Sequence, residues 1–441
     1  MNKTQRSSLV LLAVGMGVSG AACSSTPTRK TNEPATTATA MPKAPAPCVA
    51  SQGWITSPNP PKEIGGGVNI NDETNCQFHQ FEWQWFLSLV SPSTQSPGNR
   101  MFETYPVWLG DSQQNQCAVE KSLTGQRAAE KAFFARDFKQ QQDHDGPILP
   151  TEIAQATGGV LYDQAGNIVL YNVRYSPNMC QATSAGFQPN SVEVKTSWRV
   201  MSPTDPQLSS YYTMKANVAG FTNNPQTLGL VGFHLVTNTA NHPEFVWATF
   251  EHKSNSPDCN GKPAAPASGW SFTSASAATC LTQQGGATGC PQYGFNKEEK
   301  ASSDTKLTGT PDEVCRQFPQ GTDPEPMTGG NNNDTNRANI DMLNAQLVGP
   351  SGFLTKLPDS DLMAVWKNYF LVGGLWTLNG QASNPATNQR GSLELANTTM
   401  ETDFQTQGFN CFTCHNYDPS NPLAVSHIYS TLKPASTGAS K

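Results

Sequence analysis

Eleven cysteines, an odd number, are spread along this 441-residue chain, and the way they divide constrains the fold more than any other feature. A chain of this length can bury a core that holds without covalent staples, so each cysteine calls for a chemical reason of its own. Two lie in the sequence Cys411-Phe412-Thr413-Cys414-His415 near the C-terminus, and a third, Cys23, follows a run of small residues near the N-terminus. Eight remain: Cys48, Cys76, Cys117, Cys180, Cys259, Cys280, Cys290 and Cys315. Eight is an even number, and in an oxidising compartment it allows up to four disulfides. Their connectivity does not follow from sequence, since eight cysteines allow 105 pairings.

The compartment is set by the N-terminus. Lys3 and Arg6 precede an apolar run from Leu9 to Val18, which closes on Val18-Ser19-Gly20-Ala21-Ala22-Cys23. That run is too short for a permanent span and reads as a secretory signal peptide over residues 1–22. A cysteine directly after small residues resembles the cleavage site of bacterial lipoproteins, although Gly20 stands where Leu is usual. The resemblance implies a lipid on Cys23 and attachment to the periplasmic side of a bacterial membrane, expected to be the outer one. Without the lipid, the product is periplasmic or secreted. Residues 23–50 are rich in Thr, Ala and Pro, a composition with little to bury, and are expected to act as a tether.

Cys-x-x-Cys-His is the attachment signature of c-type haem. On a helical turn, residues three and four apart share one face. Both thiols can therefore add to the haem vinyl groups while His415 points at the iron. A thioredoxin-like disulfide site needs its cysteine pair at a strand-to-helix turn of a βαβ unit, which is not what surrounds residues 411–415. A zinc site needs four ligands, and no second cysteine pair stands at ligand spacing. One covalent haem c on Cys411, Cys414 and His415 is the expectation. The sixth iron position stays open between Met400, His427, the only histidine downstream, and no protein ligand. Thr398-Thr399-Met400-Glu401 reads as a capping box, predicting a short helix through Met400 to about Gln407.

Elsewhere the hydrophobic spacing sorts the chain into elements. Phe78, Phe81, Trp85 and Leu89 recur at helical spacing within 77–90, predicting a largely buried helix. Val192, Val194, Thr196, Trp198 and Val200 alternate with Glu193, Lys195, Ser197 and Arg199, the pattern of a half-buried strand. Leu228 to Val236 and Phe245 to Phe250 read as central strands, and frequent turn signals favour antiparallel connections. Residues 253–335 look like long stapled loops. Ile340, Leu343 and Leu347 then share a helical face, as do Leu362, Trp366, Tyr369 and Phe370. The resulting fold class is α+β: a β-rich, disulfide-stapled body over 51–335 and a helical haem-binding region over 336–441. Trp366, Tyr369, Phe370 and Trp376 are candidate walls of the haem pocket. The remaining histidines form no catalytic constellation, and His252 beside Glu251 would point to the opposite face of its strand.

Charged residues make up only 14% of the chain and the formal net charge is −6, so there is no polycationic surface and nucleic acid is excluded as a partner class. Val192-to-Trp198 (VEVKTSW), His242-to-His252 (HPEFVWATFEH), Asn368-to-Trp376 (NYFLVGGLW) and Asn397-to-Glu401 (NTTME) ahead of the haem motif together resemble a family of exported bacterial proteins described as single-haem cytochrome c family proteins. The resemblance spans most of 190–415. It implies one composite protein with a C-terminal haem, places Met400 in a recurring element, and implies no substrate. The expected function is single-electron transfer with a periplasmic redox partner protein. The rivals are a haem-dependent oxidoreductase, such as a peroxidase or dehydrogenase subunit, and a haem-containing binding or sensory lipoprotein.

Overall fold

A computed structural model describes residues 47–106, 132–133, 160–218, 221–261, 266–297, 306–321, 336–384 and 387–426. The expected signal peptide and most of the expected tether, with Cys23, Cys117 and His427, lie outside the described residues. The compact unit begins at Pro45, where the Cys48–Cys76 disulfide secures the incoming chain to the first long helix.

An antiparallel sheet forms the centre. Its strands are β2 (Val169–Tyr175), β3 (Val192–Met201), β4 (Thr213–Val218), β5 (Gln226–Thr237), β6 (Val246–His252), β7 (Tyr369–Thr377) and β8 (Gln389–Gly391). The path runs β2–β3–β5–β6–β7–β8. β4 lies along the first half of β5, and the two-residue β1 (Ala132–Phe133) pairs with it in parallel. β5 is central because it is apolar almost throughout: Leu228, Leu230, Val231, Phe233 and Leu235 are all buried, as expected of a strand covered on both faces.

Four α-helices are described: α1 (Gly53–Thr56), α2 (Asn75–Leu89), α3 (Ala275–Gln284) and α4 (Asn336–Val348). α2 starts at a capping box in which Thr74 accepts from the Gln77 N–H and Gln77 reaches back to the Thr74 N–H. It is buried on nearly every side, as its aromatic content predicts. Phe86 stacks on Phe250 at 4.0 Å and meets Phe233 edge-on at 5.3 Å, while Phe78 stacks on Trp376 at 3.9 Å. α4 is fixed to β7 by Asn344, which accepts from the Leu371 N–H and donates to the Leu371 carbonyl. Both long helices thus cover one face of the sheet, the face of Phe233, Phe250 and Leu371.

Several sequence expectations are corrected here. Among its described residues, the stretch from 336 onwards is not helical throughout. It contributes α4, then a 3-10 turn over Ala364–Asn368, and then β7 and β8, which extend the sheet of the body. Tyr369 and Phe370 therefore point to opposite faces instead of sharing a helical one. Trp366, Tyr369 and Trp376 pack on the helix side, in the main core. Only Phe370 also reaches the second cluster, built around Phe412 on the other face. The Thr398 capping box does not form. Glu401 closes on Asn397 instead, accepting from its N–H at 3.0 Å, and the segment makes a turn followed by a 3-10 turn over Thr402–Phe404. The Thr398 N–H and hydroxyl are taken by Glu251, at 2.7 and 2.8 Å.

Candidate functional site

The Cys411–His415 motif lies on the second sheet face. Cross-strand pairing puts Glu193, Lys195 and Ser197 of β3, Gly232, His234 and Val236 of β5, and Trp247, Thr249 and Glu251 of β6 on that face. The alternation in β3 reads as a solvent-facing polar edge, yet residues 392–426 cover much of it. Residues 397–401 are joined to four strands. The Tyr171 hydroxyl donates to the Thr399 carbonyl at 2.7 Å, and the Ser197 and Thr399 hydroxyls are 2.6 Å apart. Asn397 donates to the Thr249 hydroxyl at 2.8 Å, and His234 Nε2 is 3.0 Å from each Glu401 oxygen. Gly232 permits this approach: a Cβ there would fall 2.5 Å from Ser197 Oγ and 2.7 Å from Thr399 Oγ1.

The motif itself forms a single tight turn. Asn410 caps it, accepting from the Phe412 N–H at 3.0 Å, and the Cys414 and His415 N–H groups both donate to the Cys411 carbonyl, at 3.2 and 2.9 Å. One turn therefore carries Cys411, Cys414 and His415, as the spacing requires. Phe412 anchors it among Val236, Trp247, Leu375, Leu395 and Val425. The His415 ring lies 4.5 Å from the indole of Trp247. Its Nδ1 is 3.0 Å from the Val425 carbonyl. A carbonyl only accepts, so Nδ1 carries the proton, and in the neutral ring the lone pair sits on Nε2. A backbone carbonyl on one nitrogen is the usual way a metal-binding histidine is oriented.

Cys411 and Cys414 are thiols, whereas Cys48–Cys76, Cys259–Cys315 and Cys280–Cys290 are disulfides and Cys180 is disulfide-bonded as well. Burial pushes the Cys411 thiol well above its usual range, with Glu401 adding to the rise. The Cys414 thiol is raised too, by partial burial and Glu401, against Lys195. Reactive Cys-x-x-Cys redox pairs have the opposite tuning, a depressed thiol. Two protonated thiols beside an oriented imidazole form a donor set that fits a c-type haem. Among the described residues no group of three or more His, Cys, Asp or Glu is arranged to hold a bare metal ion.

Met400 is fully buried in the main core, while Cys411 packs against the separate cluster around Phe412. His427 is outside the described residues, although Val425 and Ser426 just before it sit at the motif. The Ser426 hydroxyl donates to Glu193 at 2.7 Å. Burial raises the Glu193 carboxyl to about 7, against the Ser426 hydrogen bond and Lys195. Burial acts to raise Glu401 as well, yet His234, Lys195 and the Asn397 N–H together hold it down to about 2. Sequence reading passed over His234, Glu401 and Trp247 as parts of the site. One signal was present: His234 interrupts an apolar strand at the register position of Lys195.

Glu251 and His252 do point to opposite faces. Glu251 holds Arg316 and Thr398, while His252 stacks on Tyr211 at 3.7 Å across the sheet. Compared with protein-family models, curated proteins and solved structures, the chain matches none of them.

Proposed function

We propose that this chain is an exported c-type cytochrome with one covalent haem, tethered to a membrane through lipid on Cys23 and exchanging single electrons with a periplasmic redox partner protein. The observation that carries the reading is the Cys411-x-x-Cys414-His415 turn with His415 Nδ1 committed to the Val425 carbonyl. Cys411 and Cys414 would hold the haem as thioethers and His415 would be the proximal ligand. The sequence offers Met400 and His427 for the sixth position. When bound, the haem supplies a one-electron iron couple.

The chain's own residues keep the site fixed. Asn410 and Phe412 fix the turn, and Trp247 and Val425 fix the imidazole plane. The aromatic cluster on this face packs beneath the turn, around Phe412 and Trp247, while Cys414 stays exposed on its outer side. The disulfides support an oxidising compartment, in agreement with the exported, membrane-anchored reading. The resemblance to single-haem cytochrome c family proteins points the same way.

Redox titration of the haem-loaded protein tests the reading. A reversible one-electron couple, with no ligand binding by the ferrous form, is expected. A ferrous haem that readily takes up carbon monoxide would count against an electron carrier and favour the haem-dependent oxidoreductase.

A further inference from the structure

A second histidine, His234, lies on the motif's side of the sheet with one ring nitrogen held by a carboxylate. His234 lies opposite Lys195 of β3 and Thr249 of β6. The next row on the same face is Glu193, Val236 and Trp247, and Trp247 touches the His415 ring. One row of the sheet thus separates His234 from the floor of the motif. Its Nε2 is held by both oxygens of Glu401, and Lys195 Nζ is 3.8 Å from that carboxylate. With Nε2 donating, a neutral ring has its lone pair on Nδ1, which makes no hydrogen bond among the described residues. A carboxylate on one ring nitrogen and a metal on the other is a recurrent ligand arrangement.

The other described histidines are committed elsewhere. His79 bonds Glu82 and Asn336, and His242 bonds Glu73 and Glu244, each through both nitrogens. His252 bonds the Ser210 carbonyl and the Ser254 N–H from the opposite face. Met400, next to Glu401, is fully buried and packs in the larger hydrophobic cluster, whereas Cys411 packs against the one around Phe412.

We propose that His234 is the second axial ligand of the haem iron, with Glu401 as its positioning carboxylate. The assignment rests on the haem reading above. It makes the iron bis-histidine, which lowers its reduction potential relative to His–Met ligation.

The test is electron paramagnetic resonance and absorption spectroscopy of the full-length, haem-loaded protein and four variants, with covalent haem content measured in each. The wild type should be low-spin, and Met400→Ala and His427→Ala should remain so. His234→Ala should lose the low-spin signal at unchanged haem content and regain it on adding imidazole. Should that variant fold poorly, His234→Met keeps a ligand in place and should raise the midpoint potential. A low-spin His234→Ala protein would overturn the assignment alone, and a high-spin wild type with its haem attached would overturn it together with the electron-carrier reading. A wild-type chain with no covalent haem would overturn both this assignment and the haem reading.

Discussion

At the scale of single residues, burial decides which charges this protein holds. His242 sits between Glu73 and Glu244 at 2.7 and 2.8 Å, with its side chain 1% exposed. Burial alone would lower it, but the two carboxylates raise it to about 9. A raised histidine contributes stability that is complete below its unfolded value of about 6.5 and is lost as pH rises through 9. The shift corresponds to roughly 3 kcal/mol. Urea unfolding of the wild type and His242→Gln should therefore differ most at pH 6 and converge by pH 10. A gap between the two that does not change with pH would show that His242 is neutral in the fold. His252 has the opposite sign. Its burial, against the Ser210 carbonyl, lowers it to about 3, so its contribution is present above 6.5 and declines as pH falls towards 3.

At the scale of elements, residues 397–401, the segment ahead of the Cys411–His415 turn, approach the sheet closely. Gly232→Ala places a methyl group 2.5 Å from Ser197 Oγ and 2.8 Å from Asn397 Oδ1. Overpacking of this kind costs about 1–3 kcal/mol, and here it should also speed amide exchange at Thr398 and Glu401. Unchanged stability and exchange would mean that this loop does not rest on β5. α2 and β3 were legible because their patterns are long and have one period: Phe78, Phe81, Trp85 and Leu89 for the helix, Val192 to Val200 for the strand. Residues 362–377 were misread for a physical reason. Leu362, Trp366, Tyr369 and Phe370 fit a helical stripe, but the run continues into Leu371-Val372-Gly373-Gly374, which β6 takes as a sheet partner. Those two glycines lie where a Cβ would meet Ser392 on one face and Glu82 on the other, at 2.4 and 1.8 Å. Short apolar runs do not distinguish helix from strand by period, and only the partner strand settles it. β3 is more buried than the half-buried strand its alternation predicts, because cover for its polar face comes from residues about 200 positions away.

At the scale of the whole molecule, one sheet separates two environments: the two long helices on one face, and the Cys411–His415 turn with its own aromatic cluster on the other. The single turn that carries Cys411, Cys414 and His415 could be read from the sequence. The floor beneath it could not, because β3, β5 and β6 meet there only after folding. The disulfides hold the long excursion between β6 and α4. Cys259–Cys315 closes 56 residues and Cys280–Cys290 closes 10. Loop-closure entropy assigns about 4 kcal/mol to the first and about 3 to the second. Replacing the first pair with Ser should therefore lower the urea midpoint more than replacing the second, and the reverse order would show that strain or residual unfolded structure dominates.

The central claim concerns a covalent bond, so the most direct measurement is the mass of the intact chain, exported and purified after co-expression with a haem-attachment system. The wild type should carry the mass of one haem beyond the processed polypeptide, and the Cys411→Ala, Cys414→Ala double variant should carry none. A wild-type chain at the polypeptide mass alone would contradict the assignment of a c-type cytochrome.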